Sequence, residues 1–61
     1  MMELKEILSA VAERFEAFTK DAEAQVEKNN KAAGARARKS ALEISKLMKE
    51  FRKASMDSSK A

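Results

Sequence analysis

Lys39, Lys46 and Lys53 recur every seven residues in the 61-residue sequence. On an α-helix that spacing sets three ammonium groups along one line. Arg38 and Arg52 flank the line, Lys49 lies a step around from it, and Lys28, Lys31 and Arg36 gather further cations upstream. A row of cations along one helix suits the regularly spaced charges of a phosphate backbone. The alternative is a solvated helix surface, the usual setting of a single lysine. Three successive outward positions without an acid, joined to the run Arg36-Ala37-Arg38-Lys39, favour an anionic partner. Three of these cations, Arg36, Arg38 and Lys39, fall near the start of a helix. There the macrodipole disfavours positive charge by about 0.3 kcal/mol or more. That local penalty points to a partner outside the chain.

Other chemistries lack their residues. The sequence has no histidine and no cysteine, so the commonest general base and the strongest nucleophile are missing. Ser9, Ser40, Ser45, Ser55, Ser58 and Ser59 have no activating neighbours, and no enzyme is expected. No metal, cofactor or small-molecule substrate is expected either. Gly34 is the only glycine, so there is no glycine-rich phosphate loop. There is no Trp or Tyr, and the three phenylalanines fall on apolar seams, which leaves no platform for stacking single-stranded bases. Double-stranded DNA held through its phosphates, with little base specificity, is the nucleic-acid partner these residues fit. The apolar run Ile7 to Val11 is short and interrupted, neither a signal-peptide core nor a membrane span. The chain therefore reads as soluble and cytoplasmic.

The elements that must carry the cations are helices. There is no proline, and Ala, Glu, Lys, Arg and Leu dominate, all strong helix formers. Leu4, Leu8, Val11, Phe15, Phe18 and Ala22 follow alternating four- and three-residue spacing, a coiled-coil seam that Ile7 and Val26 widen. Ala37, Ala41, Ile44, Met48, Phe51 and Ser55 repeat that spacing, with Leu47 beside them. The two frames are out of phase. Extending the first would bury Arg36, Lys39, Glu43, Lys46 and Glu50, which is costly. The helix must break, and Asn29-Asn30 is the place. Asparagine accepts the left-handed conformation that ends a helix and caps the next one.

The sequence thus predicts one all-α domain over 1–61, an antiparallel αα-hairpin. Its first helix covers about 3–28, its turn about 29–30, its second helix about 31–55 and a frayed tail 56–61. A hairpin this small cannot cover its own apolar stripes. With no cysteine to staple it, a homodimeric four-helix bundle is expected, its core built from Leu4, Leu8, Val11, Phe15, Phe18, Ile44, Leu47, Met48 and Phe51. Ala10, Ala17 and Ala24, seven residues apart beside the first seam, permit close approach of another helix. Leu42 falls off the stripe; it is exposed in the simplest arrangement, or extends the dimer contact.

Charge is segregated between the halves. Residues 1–27 carry three basic and seven acidic groups, a net −4. Residues 28–61 carry ten basic and three acidic groups, a net +7, and the two give the overall +3.

The stretch KNNKAAGARARK at 28–39, followed by SALEISKLMKEFRKAS, resembles the chlamydial-type histone H1-like proteins and their short bacterial relatives. Their pattern reads Lys-Gly-Asn-Lys-Ala-Ala, then Arg-x-Arg, then an amphipathic helix ending in Arg-Lys. Lys28, Asn30, Lys31, Ala32, Ala33, Arg36 and Arg38 match it, as do Arg52 and Lys53. Asn29 stands where the pattern has glycine. The resemblance covers about residues 26–55 and implies a nucleoid-associated protein that compacts the chromosome. The chlamydial members carry a long Lys- and Ala-rich tail. This sequence resembles the short members without one, so DNA contact is expected from the folded face of the second helix. Residues Lys28, Lys31, Arg36, Arg38, Lys39, Lys46, Lys49, Arg52 and Lys53 are the expected contacts. Two rivals stay open: a helical interaction module that binds an acidic protein with the same ridge, and a membrane-surface helix. The second would spend an apolar stripe that the bundle needs.

Overall fold

Asn29 and Asn30 build the turn themselves. The computed structural model describes residues 3–59. It has α1 at Leu4–Lys28 and α2 at Lys31–Ser59, with no strand among the described residues. Asn29 lies at φ 54, ψ 36, in the left-handed region. It is the one non-glycine residue of positive φ among those described. The Ala24 carbonyl accepts the Asn29 backbone N–H and, at 3.4 Å, that of Asn30. Both N–H groups thereby find an acceptor where the chain leaves α1. The Asn30 side-chain oxygen then accepts the Ala33 N–H at 3.1 Å, capping α2. The expected turn at 29–30 is therefore found, made by the two side chains whose chemistry predicted it.

The helices pack antiparallel along their length. Two ion pairs fix the register: Arg14 to Glu43 and Arg36 to Asp21, each at 3.2 Å. Residue numbers across each pair sum to 57, so Phe15 lies level with about position 42 and Leu8 with about position 49. The result is a rod of 48 × 15 × 14 Å. Its radius of gyration is 14.1 Å, against about 10.5 Å for a globular chain of this length.

The contact between the helices draws on part of the expected seams and on residues beside them. Ile7 is the one large side chain fully buried among those described, at 1% exposure, and α2 buries Ala33, Gly34, Ala37 and Ser40. Ala10, Ala17 and Ala24 of α1 are half-buried. Small side chains let two helix axes approach to about 8 Å. The alanine heptad thus serves the hairpin itself. By contrast Leu8, Phe15 and Met48 remain 62%, 53% and 42% exposed. Leu4, Val11, Phe18, Ile44, Leu47 and Phe51 are half-buried. Phe15 and Phe18 meet edge to face, centroids 6.1 Å apart, and with Ala41 and Ile44 they line an open groove. The expected seams therefore lie partly in the contact, through Ala37 and the half-buried residues, and partly on one open apolar face, through Leu8, Phe15 and Met48.

The expected frayed tail is also corrected. α2 continues through Met56, Asp57 and Ser58 to Ser59, because nothing in that stretch is a helix breaker. Residues 60–61 of the expected tail lie outside the described residues.

Candidate nucleic-acid interface

The cations of α2 stand on its outer edge. At about 100° per residue, Lys31, Arg38 and Lys49 point about 160–180° away from buried Ser40. Lys46 and Lys53 lie within about 60° of that direction, as does Arg52 on the other side. Lys39 closes the edge on the flank opposite the apolar groove. All seven residues are exposed, and so is Lys28 at the turn. Among the described residues none of these eight takes part in an ion pair; the two pairs consume Arg14 and Arg36.

Arg36 differs from the others. Its Nε donates to the Asp21 carboxylate at 3.2 Å. Its side chain is 59% exposed and that of Asp21 is 21% exposed. The pair pins the first turns of α2 to α1. Arg36 is thus the one expected contact residue engaged within the chain, which sequence spacing alone did not indicate. The signal was available in the antiparallel register: a hairpin turning at 29–30 brings position 36 level with about position 21.

α2 has no acidic residue in its first turn, so the N-terminal positive pole adds to the Lys28 and Lys31 charges. Gly34 lies at the same end. A Cβ there would come within 2.6 Å of the Gln25 side-chain amide. This glycine therefore allows Gln25 to lie across the helix contact.

The sequence that folds into this hairpin matches the family of histone H1-like protein Hc1 over its whole length, residues 1–61. The chain belongs to that family. No curated protein and no solved structure matches it. The family match reaches beyond the 26–55 stretch that carried the resemblance and takes in α1. Histone H1-like membership and the hairpin fold thus stand together, with the basic edge on α2 and the acidic groups concentrated on α1. No helix of the described residues is long and apolar enough to cross a membrane.

Leu42 sits on this edge, 58% exposed. Arg38, Lys39 and Lys46 are its helical neighbours at the three- and four-residue spacings that bring side chains together.

Proposed function

We propose that this protein is a nucleoid-associated, histone H1-like DNA-binding protein. In this reading the outer edge of α2 contacts duplex phosphates without base specificity. The observation that carries it is the row of exposed cations on α2 (Lys31, Arg38, Lys39, Lys46, Lys49, Arg52 and Lys53), none held in an ion pair among the described residues. Family membership supports a structural role and not a catalytic one. It also supports a location on the bacterial chromosome, in the cytoplasm. The 48 Å rod lies along about 14 base pairs at about 3.4 Å each. Lys28 at the turn extends the edge, and Arg36 contributes only where it leaves Asp21. A homodimer forms part of this proposal, because Leu8, Phe15 and Met48 leave an apolar face open that a second copy covers.

The test is an electrophoretic shift with random-sequence duplex at two salt concentrations. Each phosphate neutralised gives a log–log slope of about −0.9. A dimer engaging four or more phosphates therefore gives roughly −4 or steeper. Lys39→Glu with Lys46→Glu is expected to weaken binding to all duplex sequences alike while leaving helix content intact, since both residues face solvent. No shift at low salt refutes the proposal. An unchanged shift in the double variant removes the contact from this edge.

One observation favours a second reading. Exposed Leu42 amid Arg38, Lys39 and Lys46 is of no use against phosphates, yet it suits an acidic amphipathic protein segment. Loss of duplex binding together with capture of such an acidic peptide would select that reading.

A further inference from the structure

The hairpin is a slab with four distinct sides. One broad face carries the apolar groove of Phe15, Phe18, Ala41 and Ile44. The opposite broad face carries Arg14, Glu43 and Lys46. One narrow edge is the basic side of α2 and the other is the acidic side of α1. The accessible surface is 4998 Å², about 1,000 Å² more than the roughly 4,000 Å² of a compact protein of its mass. A standard interface takes about 800 Å² from each partner. The excess and the open groove together have the size that one further copy covers.

Two copies joined groove to groove about a two-fold axis have two arrangements. With the axis across the rods, α1 lies on α1 and α2 on α2. The two +7 segments are then neighbours, as are the two −4 segments. With the axis along the rods, α1 of each copy lies on α2 of the other, and the −4 segment faces the +7 segment twice. Juxtaposed like charges oppose association, and complementary ones fix orientation. The lengthwise axis also preserves level. Phe15 then meets Ala41 and Ile44 of the second copy, a large side chain against a small one and a branched one, as close packing requires.

We infer that the protein dimerises groove to groove with both turns at the same end and α1 on α2 of the second copy. This sets the two basic edges on opposite sides of the bundle, so that one dimer ties two duplexes together. The crosswise arrangement would merge both basic edges on one side and coat a single duplex. The inference rests on the duplex-binding reading for its second half and on the apolar face and charge segregation for its first.

The chain has no cysteine, so a nitroxide at Lys28→Cys labels the turn cleanly. Dipolar spectroscopy on the full-length dimer is expected to give a separation of about 15–25 Å, the span of neighbouring and diagonal helices with the label arms. The crosswise dimer places the labels at opposite ends of a 25-residue helix, about 37 Å or more apart. A long distance, or no dipolar coupling, overturns the arrangement. In a second arm, an immobilised duplex captures a fluorescent free duplex through the wild-type protein. Capture is expected, and Phe15→Ala, which opens the dimer, is expected to reduce it to background. A normal electrophoretic shift without capture overturns bridging and leaves duplex binding standing. Absence of any shift refutes the binding reading, and the spin–spin distance then still decides the assembly.

Discussion

Phe15→Ala separates what the hairpin buries by itself from what a second copy covers. A phenylalanine buries about 150–250 Å² when fully enclosed, and Phe15 is 53% exposed in the single hairpin. About 100 Å² per protomer is therefore left for a partner, worth about 2.5 kcal/mol at about 25 cal/mol per Å². A symmetric dimer contains the site twice, so truncation removes about 5 kcal/mol of association. That raises the dissociation constant by three to four orders of magnitude, at about 1.4 kcal/mol per tenfold. Ile7→Ala is the control of opposite kind. Ile7 is fully buried within one hairpin, and its truncation removes about 2–5 kcal/mol from the fold of each chain. Sedimentation equilibrium with helical circular dichroism, over a dilution series, reads both effects. Phe15→Ala is expected to shift the concentration at which helix is lost, and Ile7→Ala to lower helix content even at high concentration. A wild-type chain that stays a folded monomer at low micromolar concentration would refute the reasoning. So would a Phe15→Ala dissociation constant within about tenfold of the parent.

Asn30→Ala is expected to cost about 0.5–2 kcal/mol by removing the bond to the Ala33 N–H, read as a lowered denaturation midpoint. Asn29→Gly is expected to be neutral or stabilising, whereas Asn29→Val costs about 1–2 kcal/mol or more at its positive φ. Gly34→Ala gains about 1 kcal/mol of helix propensity but drives a Cβ against Gln25. The Gln25 amide is the far end of an exposed, flexible side chain that can swing aside, so Gly34→Ala alone is expected to raise the midpoint in thermal melts and Gln25→Ala to add little to it. Asp21→Asn breaks an exposed pair worth less than about 1 kcal/mol and frees Arg36. Duplex affinity is expected to rise and the salt slope to steepen by about 0.9, and an unchanged slope would exclude Arg36 from the interface.

Much of this molecule was legible in local chemistry. Asn29-Asn30 announced the break because one asparagine tolerates the left-handed cap and the other caps the following helix. The seven-residue spacing of Lys39, Lys46 and Lys53 placed them on one line for any straight helix. The same local rules misplace the end of α2: a polar, serine-rich stretch reads as a tail, yet it contains nothing that stops a helix, and α2 runs to Ser59. The sequence reads Arg36 as a phosphate contact because its partner, Asp21, is fifteen residues away and comes close only once the chain has turned.

By itself the sequence determined the helices, their break, the outward line of cations and the opposite charges of the two halves. Each follows from short-range propensity or from a period along one helix. Tertiary structure alone decided which stripe faces which neighbour. Two adjacent stripes on α1 compete for α2, one of large side chains through Leu8 and Phe15, the other of Ala10, Ala17 and Ala24 with Ile7. Periodicity weights the large residues, since they dominate apolar area. The hairpin shares its contact between them: Ile7, Ala33, Ala37 and Ser40 are buried, Ala10, Ala17 and Ala24 are half-buried as Leu4, Val11 and Phe18 are, and Arg14 and Arg36 reach their carboxylates across it. Leu8, Phe15 and Met48 are thereby left exposed, and it is that rotation of each helix about its own axis, invisible to any one-dimensional pattern, that opens the apolar face.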